Sequence, residues 1–468
     1  MPSRIKIRVI LLICLTTVIL GQTPMTLDDC FDAALENSPS VQAAQERLAQ
    51  ARAKVIQARG AFLPSMSASA AYVRLDTEPY VSMGDMTEML NELLGGLIPP
   101  DTTSQYQDEE EQRLKMGEDE NYDVTLSATQ PIFTGFGILS GYRMASLGMK
   151  AERINFDSAR EDLLYSVENA YWQHIKALGF LQVAKKSHQQ VKAHVEDLVA
   201  LEGQGMASHN NVLAARVRES EMKLTVLRAK QGVTLSRLAL ATLIGIPVES
   251  IDIEEQVFEK SSPFEDADEA LNTARTANTD IKKLDIAWRI ADAGVTAAAS
   301  PLYPSAMVIG SWHYKKPNRE LENEWYDSWD ITAALNLNVF DWGITIGKIK
   351  DAKAVKRELE ANRNLAINAL DLRVKGAYST YVEAVAGEEV ADEQVKLAEE
   401  NFRVTTELFN NSAATSTTLL DAQSDLLRAE VNLLSARADR AIARAELIRL
   451  TGGYIKYFSN RQSGQEEK

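Results

Sequence analysis

The sequence predicts an internally duplicated, mixed α+β membrane protein in which each chain lends four amphipathic β-strands to a shared barrel and folds its remainder into long helical hairpins. Three observations predict it: a repeat at constant offset, segments of about ten residues that alternate with period two, and proline-free stretches of about 60 residues.

Composition excludes several classes of function. Of 468 residues, 45% are hydrophobic and 25% charged, and 50 basic residues face 66 acidic ones for a net charge of −16. Two cysteines and five histidines leave too little for a disulfide framework or a metal site. Neither a metal nor a cofactor is expected. Beyond the first residues no basic block offers clustered charge to phosphates, so a nucleic-acid partner is not expected either.

Residues 1–21 read as a secretory signal peptide: Arg4, Lys6 and Arg8, an apolar run from Val9 to Leu20, then Gly21 at a cleavage position. Twelve apolar residues are too few to cross a bilayer as a helix, which needs about 20. Processing leaves a charge of −19 and Cys30 as the one thiol, and no later apolar stretch approaches 20 residues.

The chain is written twice. At an offset of 207, Phe133 aligns with Phe340, Val167 with Val374, Ala170-Tyr171 with Ala377-Tyr378, Ala215 with Ala422 and Gly245 with Gly452. Upstream, Leu63-Pro64-Ser65 matches Tyr303-Pro304-Ser305 at an offset of 240. The difference of 33 places an insertion in the first copy, in a loop at 77–121 that carries Asp108-Glu109-Glu110-Glu111. The expected division is a first repeat at 22–245, a linker at 246–263, a second repeat at 264–454 and a tail at 455–468.

Within each copy the expected order is helix, strand, loop, strand, very long helix, turn, long helix. A first helix starts at Asn37-Ser38-Pro39 and stops at Arg59-Gly60. Leu139 to Leu201 and Ile346 to Leu408 contain no proline, and helices of that length imply coiled-coil packing. Leu420, Leu427, Leu434, Ala441 and Ile448 recur every seven residues as a seam, with Val431, Ala438 and Ala445 in its second row and Ser424 its one polar member.

The strands follow another period. Val124, Leu126, Ala128 and Ile132 alternate with Asp123, Thr125, Ser127 and Thr129, while Ile331 to Val339 alternates with Asp330, Thr332, Asn336 and Asn338. Ser65 to Arg74 is weaker, and Ser305 to Tyr314 is the least regular. Aromatics gather at strand ends, as girdles at membrane interfaces do. Four strands cannot close a barrel, and an open edge in hydrocarbon leaves backbone groups unpaired at several kcal/mol each. Membrane strands therefore require assembly: eight from a dimer, or twelve, with room for a pore, from a trimer. The long helices then emerge on the periplasmic side and the long loops outside.

The chain resembles the TolC-like outer-membrane efflux proteins. The resemblance spans Thr26 to Tyr454 and rests on the opening Leu27 to Ala34-Leu35-Glu36-Asn37-Ser38-Pro39, on Leu63-Pro64-Ser65, on Gln130-Pro131-Ile132-Phe133 with its counterpart Val339-Phe340-Asp341-Trp342-Gly343, and on Leu419-Leu420-Asp421-Ala422-Gln423. It implies a homotrimer with a twelve-stranded β-barrel in the outer membrane of a Gram-negative-type bacterium, continuous with a periplasmic barrel of helices. It implies an exit duct, without enzymatic activity, for a tripartite efflux or type I secretion system, joined through a periplasmic adaptor protein to an inner-membrane transporter. It also points to the hairpin tips as gate and adaptor contact: Gly205, Ser208, Asn210 and Asn211 in the first, Ser412, Thr415, Thr418 and Asp421 in the second. Asp421 matches an acidic position that lines the family's constriction. Asn211 and Thr418 stand where acids often occur, and Ala414 where an arginine can link tips, so neutral hydrogen bonds and packing are expected to hold the closed state.

Other readings explain less. Gly135-Phe136-Gly137 and Gly141 lie between strand and helix with the wrong spacing for a dinucleotide turn. His188 and His194 are six apart and share no helix face, His209 falls in a turn, and Cys30 reads as packing. The alternative is a periplasmic or surface coiled-coil scaffold or adhesin with a soluble sheet.

Overall fold

The computed structural model describes residues 24–82, 86, 89–90, 92–93, 95, 113–253, 262–318 and 322–455. The signal peptide, the acidic run at 108–111, residues 254–261 of the linker and nearly all of the tail lie outside the described residues.

The first repeat contains α1 (Leu27–Asn37), α2 (Pro39–Gly60), β1 (Ser65–Arg74), β2 (Tyr80–Ser82), β3 (Arg113–Lys115), β4 (Glu120–Thr134), α3 (Gly137–Gly203) and α4 (His209–Ile244). The second contains α5 (Ala267–Ala277), α6 (Thr279–Ala299), β5 (Ser305–Lys316), β6 (Tyr326–Asn336), α7 (Ile344–Asn410) and α8 (Ser416–Leu450). The duplication is thus structural: α7 has the bounds of α3 displaced by 207, and α5 those of α1 displaced by 240. At 67 residues, α3 and α7 are each about 100 Å long.

Three features depart from the expected order. Each repeat opens with a short extra helix, α1 or α5. Both are capped by a side chain, Thr26 in a capping box with Asp29 and Asp266 bonded to the Glu269 amide. In the first-copy loop, β2 and β3 pair as a separate small hairpin. The last strand ends at Asn336, opposite Ser305 where β5 begins, so Leu337 to Val339 have no partner within the chain and lie outside it.

Two compact units emerge, each drawing on both repeats. One comprises the described residues of Met1–Ala49, Lys150–Ile286 and Glu360–Lys468, the other those of Gln50–Met149 and Ala287–Leu359.

The first unit is built on the duplicated short helices. Cys30, Phe31 and Ala34 of α1 pack on Leu163, Leu164, Val167 and Tyr171 of α3 and on Leu240 and Ile244 of α4. In the second copy Ala270, Leu271 and Ala274 pack on Leu370 and Val374, position for position. Cys30 is fully buried and its thiol is pushed up to about 12, as a packing residue's would be. In this core Tyr454 donates to Glu168 at 2.6 Å, tying the last described turn to α3. The seam on α8 is only partly the heptad row. Leu420, Ala438 and Ala445 are buried, but Leu427, Leu434, Ala441 and Ile448 are half-buried, and Leu419, Gln423 and Leu426 take the early core positions. A straight helix drifts about 20° per heptad, so over 35 residues the buried face moves off a strict seven-residue row.

The second unit carries an antiparallel sheet of order β1-β4-β5-β6. Its register aligns one polar face: Ser67 beside Ser127, Ser127 beside Ser311, Thr125 beside His313, and Ser311 beside Asp330. His313 contacts Thr125 Oγ1 at 2.9 Å and Asp330 at 3.0 Å, and Lys315 pairs with Asp123 at 2.9 Å. The opposite face carries Val124, Leu126, Trp312, Ile331 and Leu335, and it is bare, Trp329 being 73% and Leu335 74% exposed. The irregularity of β5 comes from Met307 and Ile309 on the polar side.

Aromatic clusters mark both ends of the sheet. At the loop end Tyr72, Tyr122, Trp325 and Tyr314 follow one another with ring centroids 4.8, 5.7 and 4.6 Å apart. At the helix end Phe62 meets Tyr142, and Phe136 meets both Phe133 and Tyr303. There the strand turns into α3 through Gly135-Phe136 and into α7 through Trp342-Gly343, each a consecutive pair of positive φ. This backbone turn explains Gly135 of the apparent nucleotide fingerprint, while Gly137 and Gly141 fall within α3.

Candidate functional site: the helical hairpin tips

The two tips are one structure used twice. In the first, α3 ends when Met206 and Gly205 donate to the carbonyls of Leu201 and Glu202, and Gly205 takes φ +74°. In the second, Ala413 and Ser412 donate to Leu408 and Phe409, and Ser412 takes φ +60°. A left-handed residue followed by a return bond is how a helix stops when its last carbonyls need partners. Glycine accepts that conformation without strain and serine does not.

The return helices start alike. Ser208 accepts from the Asn211 amide at 3.3 Å and Thr415 from the Thr418 amide at 3.2 Å, with Thr415 and Thr418 hydroxyls 2.8 Å apart. The structure therefore joins Ser208 to Asn211 and Thr415 to Thr418, and exposes Asn210 in the first turn of α4. These caps explain the small polar residues by themselves.

Asp421 lies one turn beyond Thr418, exposed, with Arg218 of α4 at 3.9 Å. Arg218 makes its shorter contact, 2.9 Å, to Glu221 of its own helix. A charged link between hairpins is thus present, where the sequence led to the expectation of neutral links alone. Its distance and exposure keep it weak, within about 1 kcal/mol. His209, read as a solvated turn residue, reaches Glu202 across the first tip at 2.7 Å.

Behind the tips, contacts that no sequence pattern pointed to hold the hairpins together. His194 of α3 contacts Ser416, the first residue of α8, at 2.7 Å and packs its ring against Phe409 of α7. Only 6% of it is exposed, and burial holds its imidazole below the ordinary range. Gln423 donates to the Ser187 carbonyl at 3.0 Å, and Lys186 pairs with Glu430 at 2.9 Å. Val191, Val195, Leu198, Val212, Ala215 and Leu420 fill the space between. The hydrogen-bonded and ion-paired partners, His194 with Ser416, Gln423 with Ser187 and Lys186 with Glu430, are more than 200 residues apart, and no spacing rule links them.

A family model described as outer membrane efflux protein matches residues 31–246 and 270–453. The chain belongs to this family. No curated protein sequence matches it. Among solved structures it is similar to the outer membrane protein VceC of Vibrio cholerae, at 19% identity over 91% of this chain and 96% of that one, with a TM-score of 0.74. The CmeC outer membrane channel of Campylobacter jejuni gives 17% identity, 91% and 85% coverage and a TM-score of 0.75. The MtrE outer membrane channel of Neisseria gonorrhoeae, solved in an open state, gives 20% identity, 91% and 88% coverage and 0.71.

The fold class read from the sequence, four strands per chain in a trimeric twelve-stranded barrel continuous with a helical barrel, is that of the family. The chain is an efflux duct of the outer membrane that extends into the periplasm, and the family is one of channels rather than enzymes. Efflux proteins of this kind are trimeric and work with adaptor and inner-membrane partners. The scaffold or adhesin reading is not favoured. The sheet's polar face accordingly lines the bore, and its bare apolar face meets lipid.

Proposed function

We propose that the hairpin tips are both the periplasmic gate of this duct and the surface on which its adaptor docks, so that cargo passes from an inner-membrane transporter through the adaptor into the bore. The observation that carries this is the repetition of one turn, built on Gly205 and on Ser412 207 residues later. Three copies present six such turns, a matched ring for a partner of equal or doubled symmetry. Exposed Asn210, Asn211, Thr415 and Thr418 offer neutral hydrogen bonds to an incoming helical hairpin. Asp421 contributes three carboxylates, which repel one another unless hydrated or bound by cations.

Space is open around Gly205, and a Cβ there meets nothing within 4 Å, so a large side chain would clash with no core atom and would cost only the local strain of a non-glycine residue at φ +74°. Gly205→Trp and Ser412→Trp are expected to abolish export and co-purification of the adaptor while trimer abundance in the outer membrane stays normal. Normal export by both variants would remove the tips from the docking surface.

A further inference from the structure

The helical segments of the second unit carry a charge opposite to that of the chain as a whole. These segments, residues 50–60, 137–149, 287–299 and 344–359, hold ten lysines and arginines against three carboxylates, net +7 in a protein of net −16. Among the described residues, Lys356 alone of the ten has a carboxylate partner, Asp292 at 2.7 Å, and it also lies over the Trp288 ring. The other nine cationic side chains of these helical segments have no carboxylate within ion-pair reach among the described residues and can meet anionic groups from outside the chain.

The arginines converge where helix meets strand. Arg143 is six residues into α3, about 9 Å from its start, and the facing wall on α6 carries Arg289. With Tyr142, Ser146, Thr296 and Asp292, whose carboxylate is held by Lys356, they line a cleft of about 340 Å³. Arg59, at the end of α2, lies over the Tyr142 ring at 5.9 Å, and Tyr142 packs on Phe62 of the aromatic belt. An aromatic belt followed within a few turns by unpaired arginines is the arrangement of a protein surface at lipid headgroup depth.

We propose that this cleft and the cationic collar around it bind the phosphate headgroups of anionic lipids in the leaflet that borders the helices. The inference rests on the reading that the strands span the outer membrane. Phosphates accept bidentate hydrogen bonds from guanidinium groups, and the hydroxyls of Tyr142, Ser146 and Thr296 suit their remaining oxygens. The belt favours lipid over passing solute, because it fixes the depth of the cleft.

The test reconstitutes the purified full-length trimer in vesicles of phosphatidylethanolamine with a minority of phosphatidylglycerol, and measures by mass spectrometry the lipid retained through mild detergent. Phosphatidylglycerol should be retained about fivefold above its share of the vesicle, falling towards that share in high salt and in Arg143→Gln/Arg289→Gln. Arg143→Lys/Arg289→Lys, which keeps the charge, should retain most of the enrichment. Millimolar inorganic phosphate should not displace the lipid. Retained lipid at the bulk ratio would overturn the proposal. So would displacement by phosphate alone, or a double glutamine variant that changes anion selectivity in planar bilayers while its lipid is unchanged. Trimer migration of unheated samples in electrophoresis reports separately on the barrel, so failure of the membrane reading is distinguishable from failure of the collar.

Discussion

Glu161 of α3 shows how burial sets the behaviour of one side chain. It is 3% exposed, Thr279 is its hydrogen-bond partner, its other oxygen has none, and burial pushes its carboxyl up to about 7. A pKa raised on folding stabilises fully below the ordinary value near 4.5 and loses that contribution as pH rises through about 7. His174 runs the other way: burial lowers it to about 4, so its contribution is complete above about 6.5 and lost as pH falls. Of these two groups, only Glu161 titrates near neutrality. Glu161→Gln should therefore raise the heat-dissociation temperature of the trimer at pH 8 and leave it unchanged at pH 4.5; an equal shift at both would remove the buried carboxylate as the cause. At the tip, Asp421→Ala should weaken block by multivalent cations in single-channel recordings while the trimer remains folded. Unaltered cation dependence would place the constriction elsewhere. Gly205 and Asp421 were legible because a turn and an acid in a known motif announce themselves. Arg218, His194 and Ser416 were not, since their partners lie on other helices far along the chain.

At the scale of elements, local chemistry was read well and context less well. The bounds of α3 and α7 followed from the absence of proline, and β4 and β6 from strict alternation, whereas β1 and β5 alternate only loosely. The short helices α1 and α5 were missed as separate elements because each is 11 residues long and is broken from the next helix by one residue, Ser38 or Asn278. The drift of the α8 seam is a property of helix geometry that a seven-residue template ignores. The strand-to-helix turns give a sharper test of repeat equivalence. A methyl on Gly135 would overlap the Ser300 carbonyl oxygen, whereas one on Gly343 meets nothing, although both have positive φ. Gly343→Ala should cost about 1–2 kcal/mol from backbone strain alone, and Gly135→Ala more, with visibly reduced trimer yield. Equal losses in heat-dissociation temperature would mean that the two junctions are not packed differently.

At the scale of the molecule, duplication and insolubility of the lone sheet decide the architecture. One chain leaves the outer edges of β1 and β6 unpaired and an apolar face of Trp329, Ile331 and Leu335 uncovered. In hydrocarbon those edges can be satisfied only by other strands, and the edge of β6 in one protomer is free to meet that of β1 in the next. Repetition at 207 and 240 residues made the architecture legible, while the cationic collar stayed hidden because four distant segments contribute to it. The measurement that bears most directly on the central claim is the mass of the folded protein in mild detergent, by light scattering corrected for detergent, on a sample whose electrophoretic migration shifts on heating. A mass of three chains is predicted. A folded monomer that keeps its full β-content would contradict the closed twelve-stranded barrel.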